Sequence, residues 1–241
     1  MGLRLAGLAF LGALVLAGMV LCSWRTLLTT SRTQKIWCRH SERIFVDGIN
    51  VPVYRLDNGM SLLAVTGIFR PRIFISKDIT LILSTEELRA ALAHEIAHVS
   101  AFDNLKRLLL KITRSPRWIN TSNNVDAEWG RASEIAADQH ALATGSSVLD
   151  LSSALIKVGR LNRPFASTEG LASHLVQPAC NSALEVRIMR LSKMLEGREA
   201  PVLTVKHRNL VLPVMLTVMA YLACVNAMLP AVYEILEFLV R

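Results

Sequence analysis

An α+β domain held between two membrane-spanning helices is the fold class this sequence predicts. Three observations predict it. Apolar runs fill residues 3–22 and 210–229. Short segments rich in β-branched residues, separated by turn residues, occupy 43–76. Capped, helically periodic stretches fill most of the chain from 84 to 196. A chain of 241 residues accommodates one domain of about 180 residues plus extra elements. The expected division is a first transmembrane helix at 1–25, the domain at 26–208, a second transmembrane helix at 209–230 and a short amphipathic tail at 231–241.

The chain is 52% hydrophobic with a mean hydropathy of +0.38, and the apolar excess sits at its two ends. Its net charge is +8. A nucleic-acid module would interleave basic clusters with exposed aromatics. Here aromatics are only 6% and the Lys and Arg residues are scattered. The charge fits a basic domain lying against an anionic bilayer, with no direct nucleic-acid partner. Cys22 and Cys224 fall in the apolar ends. Cys38 and Cys180 form no C-x-x-C pattern, which argues against a cysteine metal site and fits a reducing compartment.

The first apolar run is interrupted only by Arg4 and small glycines. About 20 apolar residues at a rise of ~1.5 Å cross a bilayer core. A cleaved signal peptide is the competing reading, but the run is long and no A-x-A site follows. The second run carries one strongly polar residue, Asn226, and Pro213, which a membrane helix tolerates. Two spans place both termini on one side. Arg25, Arg32, Lys35 and Arg39 follow the first span, and Arg198, Lys206 and Arg208 precede the second, against Arg4 and Arg241 outside them. The positive-inside rule then puts the domain in the cytoplasm of a cell membrane.

Within the domain, residues 43–46 and 49–56 are expected to form two strands joined by the two-residue hairpin turn Asp47-Gly48. Pro52 would place the second of them at a sheet edge. Residues 57–59 offer another turn, residues 61–65 a third strand and 73–76 a fourth. Ser84 then caps a helix, with Glu87 at the capping-box position. Residues 114–124 read as loop. Helix resumes near Asp126 and runs to Ala143, ending at Gly145, with later helices over 148–159 and 182–196.

The capped helix carries His94-Glu95-Ile96-Ala97-His98, an H-E-x-x-H pattern. Residues four apart share a helix face, so the two imidazoles can grip one ion while Glu95 reaches toward the open coordination position. The small Ala93 and Ala97 leave room beside it. Catalytic zinc takes three protein ligands and keeps one place for water. The alanine-rich stretch 132–140 supplies Glu134 and Asp138, also four apart. Glu134 is assigned to the metal, and Asp138 to a hydrogen bond that orients a ligand imidazole. Other candidates for the third ligand are Glu128, Asp126, Glu169 and above all His140. On an isolated helix Glu134 and Asp138 would read as an ordinary solvated face; the upstream motif reverses that.

The chemistry expected of one zinc ion is peptide hydrolysis, with Glu95 as general base. His174 and Arg187 are the candidates for stabilising the oxyanion, although either residue alone reads more readily as structural. Asp103, five residues past His98, would lie near the end of the ligand helix and could anchor a ligand.

Several segments together carry a resemblance: Thr66-Gly67-Ile68-Phe69-Arg70-Pro71-Arg72-Ile73-Phe74-Ile75-Ser76, residues 86–98, Asp103-Asn104-Leu105, the Glu134-x-x-x-Asp138 pair, and residues 182–195 with Arg187-Ile188. Over about residues 43–195 the chain resembles the membrane metallopeptidases of the beta-lactam-sensor (antirepressor) family, relatives of the CAAX prenyl protease and HtpX-type peptidases. The resemblance implies a gluzincin-type α+β domain, with zinc between an active-site helix and a glutamate helix. It implies a substrate backbone held in extended form along an edge strand near residues 73–76. In those sensors an extracellular ligand triggers the peptidase, and the signal leads to loss of a cytoplasmic repressor. This chain departs from them in having about two spans and no segment after the second that could form an extracellular sensor. The expected partners are a protein or peptide substrate and the lipid bilayer, with a cytoplasmic repressor or a separate sensor protein as further options.

Two function classes follow. One is a membrane-anchored zinc endopeptidase acting on a regulator or a membrane protein. The other is a catalytically silent scaffold or signalling component with the same fold. Retention of His94, Glu95, His98 and Glu134 together favours the enzyme.

Overall fold

The computed structural model describes residues 2–46, 48–57, 62–113, 123–161, 172–174 and 181–196, with Pro230, Tyr233 and Glu234. All of the expected second span but Pro230 lies outside the described residues, as do most of the tail, residues 58 and 59 of the expected turn, Glu169 and most of the expected loop at 114–124. Among the described residues one helix is long and apolar enough to cross a membrane.

That helix, α1 (Gly2–Arg39), runs unbroken past the expected boundary at residue 25. Its first part is exposed at Phe10, Leu14, Val20, Leu21 and Trp24, as a lipid-facing surface is. Its last part buries Thr26, Thr30 and Trp37 against the domain.

A five-stranded mixed sheet follows: β1 (Ser41–Ile44), β2 (Val53–Leu56), β3 (Leu63–Thr66), β4 (Arg72–Ser76) and β5 (Ala172–His174), in the order β1-β2-β4-β3-β5. Three expectations are corrected here. The first two strands do pair antiparallel, but among the described residues the ladder stops at Ile44↔Val53, short of the expected two-residue turn. The Ile49 N–H still bonds to the Val46 carbonyl across Gly48, which has φ +81°. The ladder does not extend to that turn because Val46, Ile49 and Val51 fold onto the main core.

Pro52, which lacks an N–H, turns its carbonyl to the Ile73 N–H of β4 at 3.0 Å. Consequently β2 is an interior strand, parallel to β4, and not an edge. For the same reason β4 is no edge for a substrate, being paired on both sides by β2 and β3. The outer strands are β1 and β5, and β5 was not anticipated.

Alternation along the strands gives the sheet two apolar faces. Leu63, Val65, Ile73, Ile75 and Val53 join the main core with Ile79, Ala90, Ala91, Leu92, Leu151, Ala154, Leu155, Val158 and Leu191 from the helices. Leu56, Leu62, Ala64 and Phe74 face the other way and are covered by Trp37 of α1. The Trp37 and Phe74 rings meet edge-on with centroids 5.3 Å apart, a geometry that adds about 0.5–1.5 kcal/mol beyond burial. The sheet is thus a middle layer, with the C-terminal end of α1 on one face and later helices on the other.

Those helices are α2 (Lys77–Ile82), α3 (Thr85–Ser100), α4 (Asp103–Thr113), α5 (Asn123–Ala143), α6 (Val148–Leu161) and α7 (Asn181–Leu195). The expected capping box opens α3. Ser84 Oγ accepts from the Glu87 N–H, and a Glu87 carboxylate oxygen accepts from the Ser84 N–H at 2.7 Å. Such a cap contributes about 0.5–2 kcal/mol. Central α3 packs against α5, α6, α4 and β3.

Candidate metal centre

His94, Glu95 and His98 lie on the buried side of α3, at 0%, 0% and 2% exposure. Apolar Leu92, Ala91 and Ala97 bury that side of the helix, so the motif enters the core with it. The two imidazoles stand nearly perpendicular (83°), and their Nε2 atoms are 3.2 Å apart. Across from them α5 contributes Glu134, with Oε2 3.4 Å from His94 Nε2 and Oε1 3.6 Å from His98 Nε2. Donor atoms of His94, His98 and Glu134 all lie within 4.8 Å of one another.

The far side of each imidazole is fixed by a carboxylate. His94 Nδ1 is 2.9 Å from Asp138 Oδ1, and His98 Nδ1 is 2.7 Å from Asp103 Oδ2. With Nδ1–H donated outward, both Nε2 lone pairs point inward at each other and at Glu134. Without a cation that arrangement is repulsive. Tetrahedral zinc with Zn–N near ~2.0–2.1 Å sets its ligand atoms about 3.3 Å apart, which the observed spacings fit. Glu134 Oε1 and both Glu95 oxygens are buried with no hydrogen-bond partner among the described residues. Orphaned buried acceptors beside two imidazoles are what a metal and its attendant water would satisfy.

The electrostatics of the metal-free cluster agree. Burial opposes a charge on His94, but the Asp138 and Glu134 hydrogen bonds outweigh it and hold the imidazole up at about 9. Burial pushes Glu95 up to about 8. His98 is lowered by burial. Burial would raise Glu134, yet His94 and Arg187 hold it low. Asp103 is likewise penalised by burial, but the bonds from His98 and Ser133 bring it to about 2.

Asp103 lies just beyond the end of the ligand helix, near where it was expected. The helix closes at Ser100, Phe102 takes a left-handed φ of 54°, and Asp103 opens α4. The sharp turn swings its carboxylate back under His98. Ser133 Oγ donates to the same oxygen at 2.6 Å, and Lys106 Nζ lies 3.2 Å from the other. Sequence reasoning missed Ser133; its one signal was a hydroxyl beside Glu134 in an alanine-rich stretch.

Arg187 stands elsewhere than an oxyanion partner would. It is buried on α7, donating Nε to Asp138 Oδ2 at 2.8 Å, Nη2 to Asp138 Oδ1 at 2.6 Å and Nη1 to Glu134 Oε2 at 2.9 Å. Its fork is committed to the acidic face of α5. His174 lies on β5 opposite Ala64, on the outer strand that packs near α3 and α4. Among the rivals for third ligand, Glu128 is exposed and His140 half-buried and absent from the cluster.

A cleft of about 380 Å³ adjoins His98, lined mainly by Val65, Ile68, Pro71, Val99 and Leu105, with Phe69 and Phe102 at its rim. Comparison with curated proteins gives no match. The model of the BlaR1 peptidase M56 family matches residues 9–191, well over half of the sequence, and the chain belongs to that family.

Proposed function

We propose that the chain is a membrane-anchored zinc endopeptidase, in which His94, His98 and Glu134 hold one zinc ion and Glu95 is the general base. Family membership supports a peptidase acting on a protein substrate. The observation that carries the finer reading is the convergence of the two Nε2 atoms and the Glu134 carboxylate beside the unpartnered Glu95 carboxylate. Bound zinc would polarise the scissile carbonyl and lower the pKa of water to roughly 7. Glu95, whose buried carboxylate oxygens have no hydrogen-bond partner among the described residues, is placed to take a proton from the attacking water and return it to the leaving amine.

Asp138 and Asp103 fix the tautomers and planes of the two imidazoles. Arg187 positions Asp138 and Glu134 and is not itself an oxyanion donor in this reading. His174, on the strand edge nearest α3, remains the oxyanion candidate, with an extended substrate adding to β5. The apolar α1 and the basic residues following it support anchorage with the domain on the cytoplasmic side.

A silent scaffold with the same fold is the rival. Glu95→Gln separates them: zinc should be retained at one per chain while cleavage of casein falls to background. Zinc bound in both forms with no cleavage by either would leave the scaffold standing.

A further inference from the structure

The helix that anchors the chain also fixes how far the metal cluster stands from the bilayer. α1 continues without a break from its apolar part through Arg25 to Arg39. The domain grips this extension at two levels. Near the bilayer, α1 packs against α4 and buries Thr26 and Thr30. Further out, Gln34 Nε2 donates to the Arg70 carbonyl at 3.0 Å and lies 3.5 Å from that of Thr66. Trp37 is buried on Phe74. Two contacts separated along one stiff helix leave the domain no hinge about it.

The loop that Gln34 holds, residues 67–71, is one wall of the cleft beside His98. From Arg25, the first charge after the apolar run, to Gln34 is about 14 Å at a rise of ~1.5 Å per residue. An extended chain covers that distance in roughly four residues at ~3.3 Å each. The cleft wall is apolar, and the rim residues Phe69 and Phe102 are 84% and 64% exposed. That surface suits the apolar segment of a chain just emerging from the same bilayer.

We infer that the substrate is itself membrane-anchored, and that the chain cuts it at a set distance, about four to ten residues beyond the end of its span, with the segment next to the cut lying in the Phe69/Phe102 cleft. This rests on reading the cluster as a peptidase centre and α1 as a span.

The test uses the full-length chain, zinc-loaded, in phospholipid nanodiscs. Single-span substrates carry one cleavable sequence at about 5, about 10, about 20 and about 40 residues from the membrane. Cleavage should peak at the short distances and run at least about tenfold faster than on the same sequence as a soluble peptide, because tethering raises effective concentration. Inserting two helical turns after Arg25 lifts the domain by about 10 Å and should move the preferred bond outward by about three residues.

A second readout needs no turnover. With p-benzoylphenylalanine replacing Phe69 or Phe102 in the Glu95→Gln form, crosslinks should map to the same window of the anchored substrate. Cleavage that follows sequence at any distance, unmoved by the insertion, with crosslinks spread evenly, overturns the inference. Crosslinks confined to the window without any cleavage by the unaltered chain would uphold the seating of an anchored chain in the cleft, while the peptidase reading, and the cut with it, failed.

Discussion

Arg187 and Asp138 form a two-point ion pair, Nε to Oδ2 at 2.8 Å and Nη2 to Oδ1 at 2.6 Å, joining helices distant in sequence. The same Oδ1 lies 2.9 Å from His94 Nδ1. Arg187 therefore sets the carboxylate that sets the imidazole, while its Nη1 does the same for Glu134.

Truncating Arg187 leaves two buried carboxylates facing each other without their cation. Breaking a buried pair by removing one partner costs about 3–5 kcal/mol. Arg187→Met should lower the melting temperature of the metal-free protein sharply. Arg187→Lys keeps a charge but loses the fork, and should recover only part of it. Thermal denaturation in detergent checks both; an unchanged midpoint for Arg187→Met would remove Arg187 from the positioning role.

Metal affinity should rank the cluster. Asp103→Ala keeps all three proposed ligands but removes the carboxylate behind His98, with its bonds from Ser133 and Lys106, and outer partners of this kind cost about 10–100-fold in affinity. Glu134→Ala removes a ligand, so its loss should be larger than that of Asp103→Ala. Competition with a zinc chelator measures each. If Glu134→Ala binds zinc like the unaltered chain, the third ligand must be sought elsewhere, with His140 next.

Much of this cluster was legible because its parts are local. Two imidazoles and a carboxylate within five residues of α3, a capping box at its start and an acidic pair on α5 are all set by helical periodicity. What could not be read depends on distant segments. Arg187 was visible as a cation, but only the packing of α7 against α6 brings it to the acidic face. Asp103 was placed near the end of the ligand helix, but the left-handed turn at Phe102 that swings it back to His98 leaves no sequence mark. The apolar alternation identified four strands, yet it carries no information on their order. Pro52 read as an edge signal holds only if the missing N–H would have faced a neighbour, and here the carbonyl makes the link to β4. The run after Arg25 read as the start of a separate domain, where the apolar helix α1 in fact continues and covers one face of the sheet.

Acid should loosen the junction of α3 and α6. Glu87 is penalised by burial, but bonds from Lys157, Ser153 and the Ser84 N–H outweigh this and hold its carboxyl at about 2, against an ordinary 4.5. A depressed folded value means stability that is full above about 4.5 and is lost as pH falls through about 2. Lys157 is substantially exposed, so the amount is about 2 kcal/mol at most. The melting temperature of Glu87→Gln should lie below that of the unaltered chain near neutrality, and the gap should narrow as pH drops below about 5 and close only near about 2. A gap independent of pH would mean that Glu87 acts through shape alone.

Gly67 gives the sharpest test of how β3 is joined to α1. Its φ of +95° lies where a side chain is strained, and a Cβ there would sit 2.6 Å from the Arg70 carbonyl oxygen and 2.9 Å from Gln34 Nε2. Asn104 Nδ2 also donates to the Gly67 carbonyl at 2.9 Å, so the backbone cannot simply rotate away. The Gln34 amide is the movable neighbour; the Arg70 carbonyl, fixed in the loop, is not. Gly67→Ala should therefore cost about 1–3 kcal/mol from backbone strain, with a further loss from the clash. Gln34→Ala alone should cost about 1 kcal/mol, the worth of one hydrogen bond. Combining them should cost less than the sum, because removing the amide relieves one of the two close contacts, and contacting residues couple by about 0.5–3 kcal/mol. Strict additivity in denaturation midpoints would show that Gln34 and Gly67 do not meet, and that α1 is not held to the cleft wall at this level.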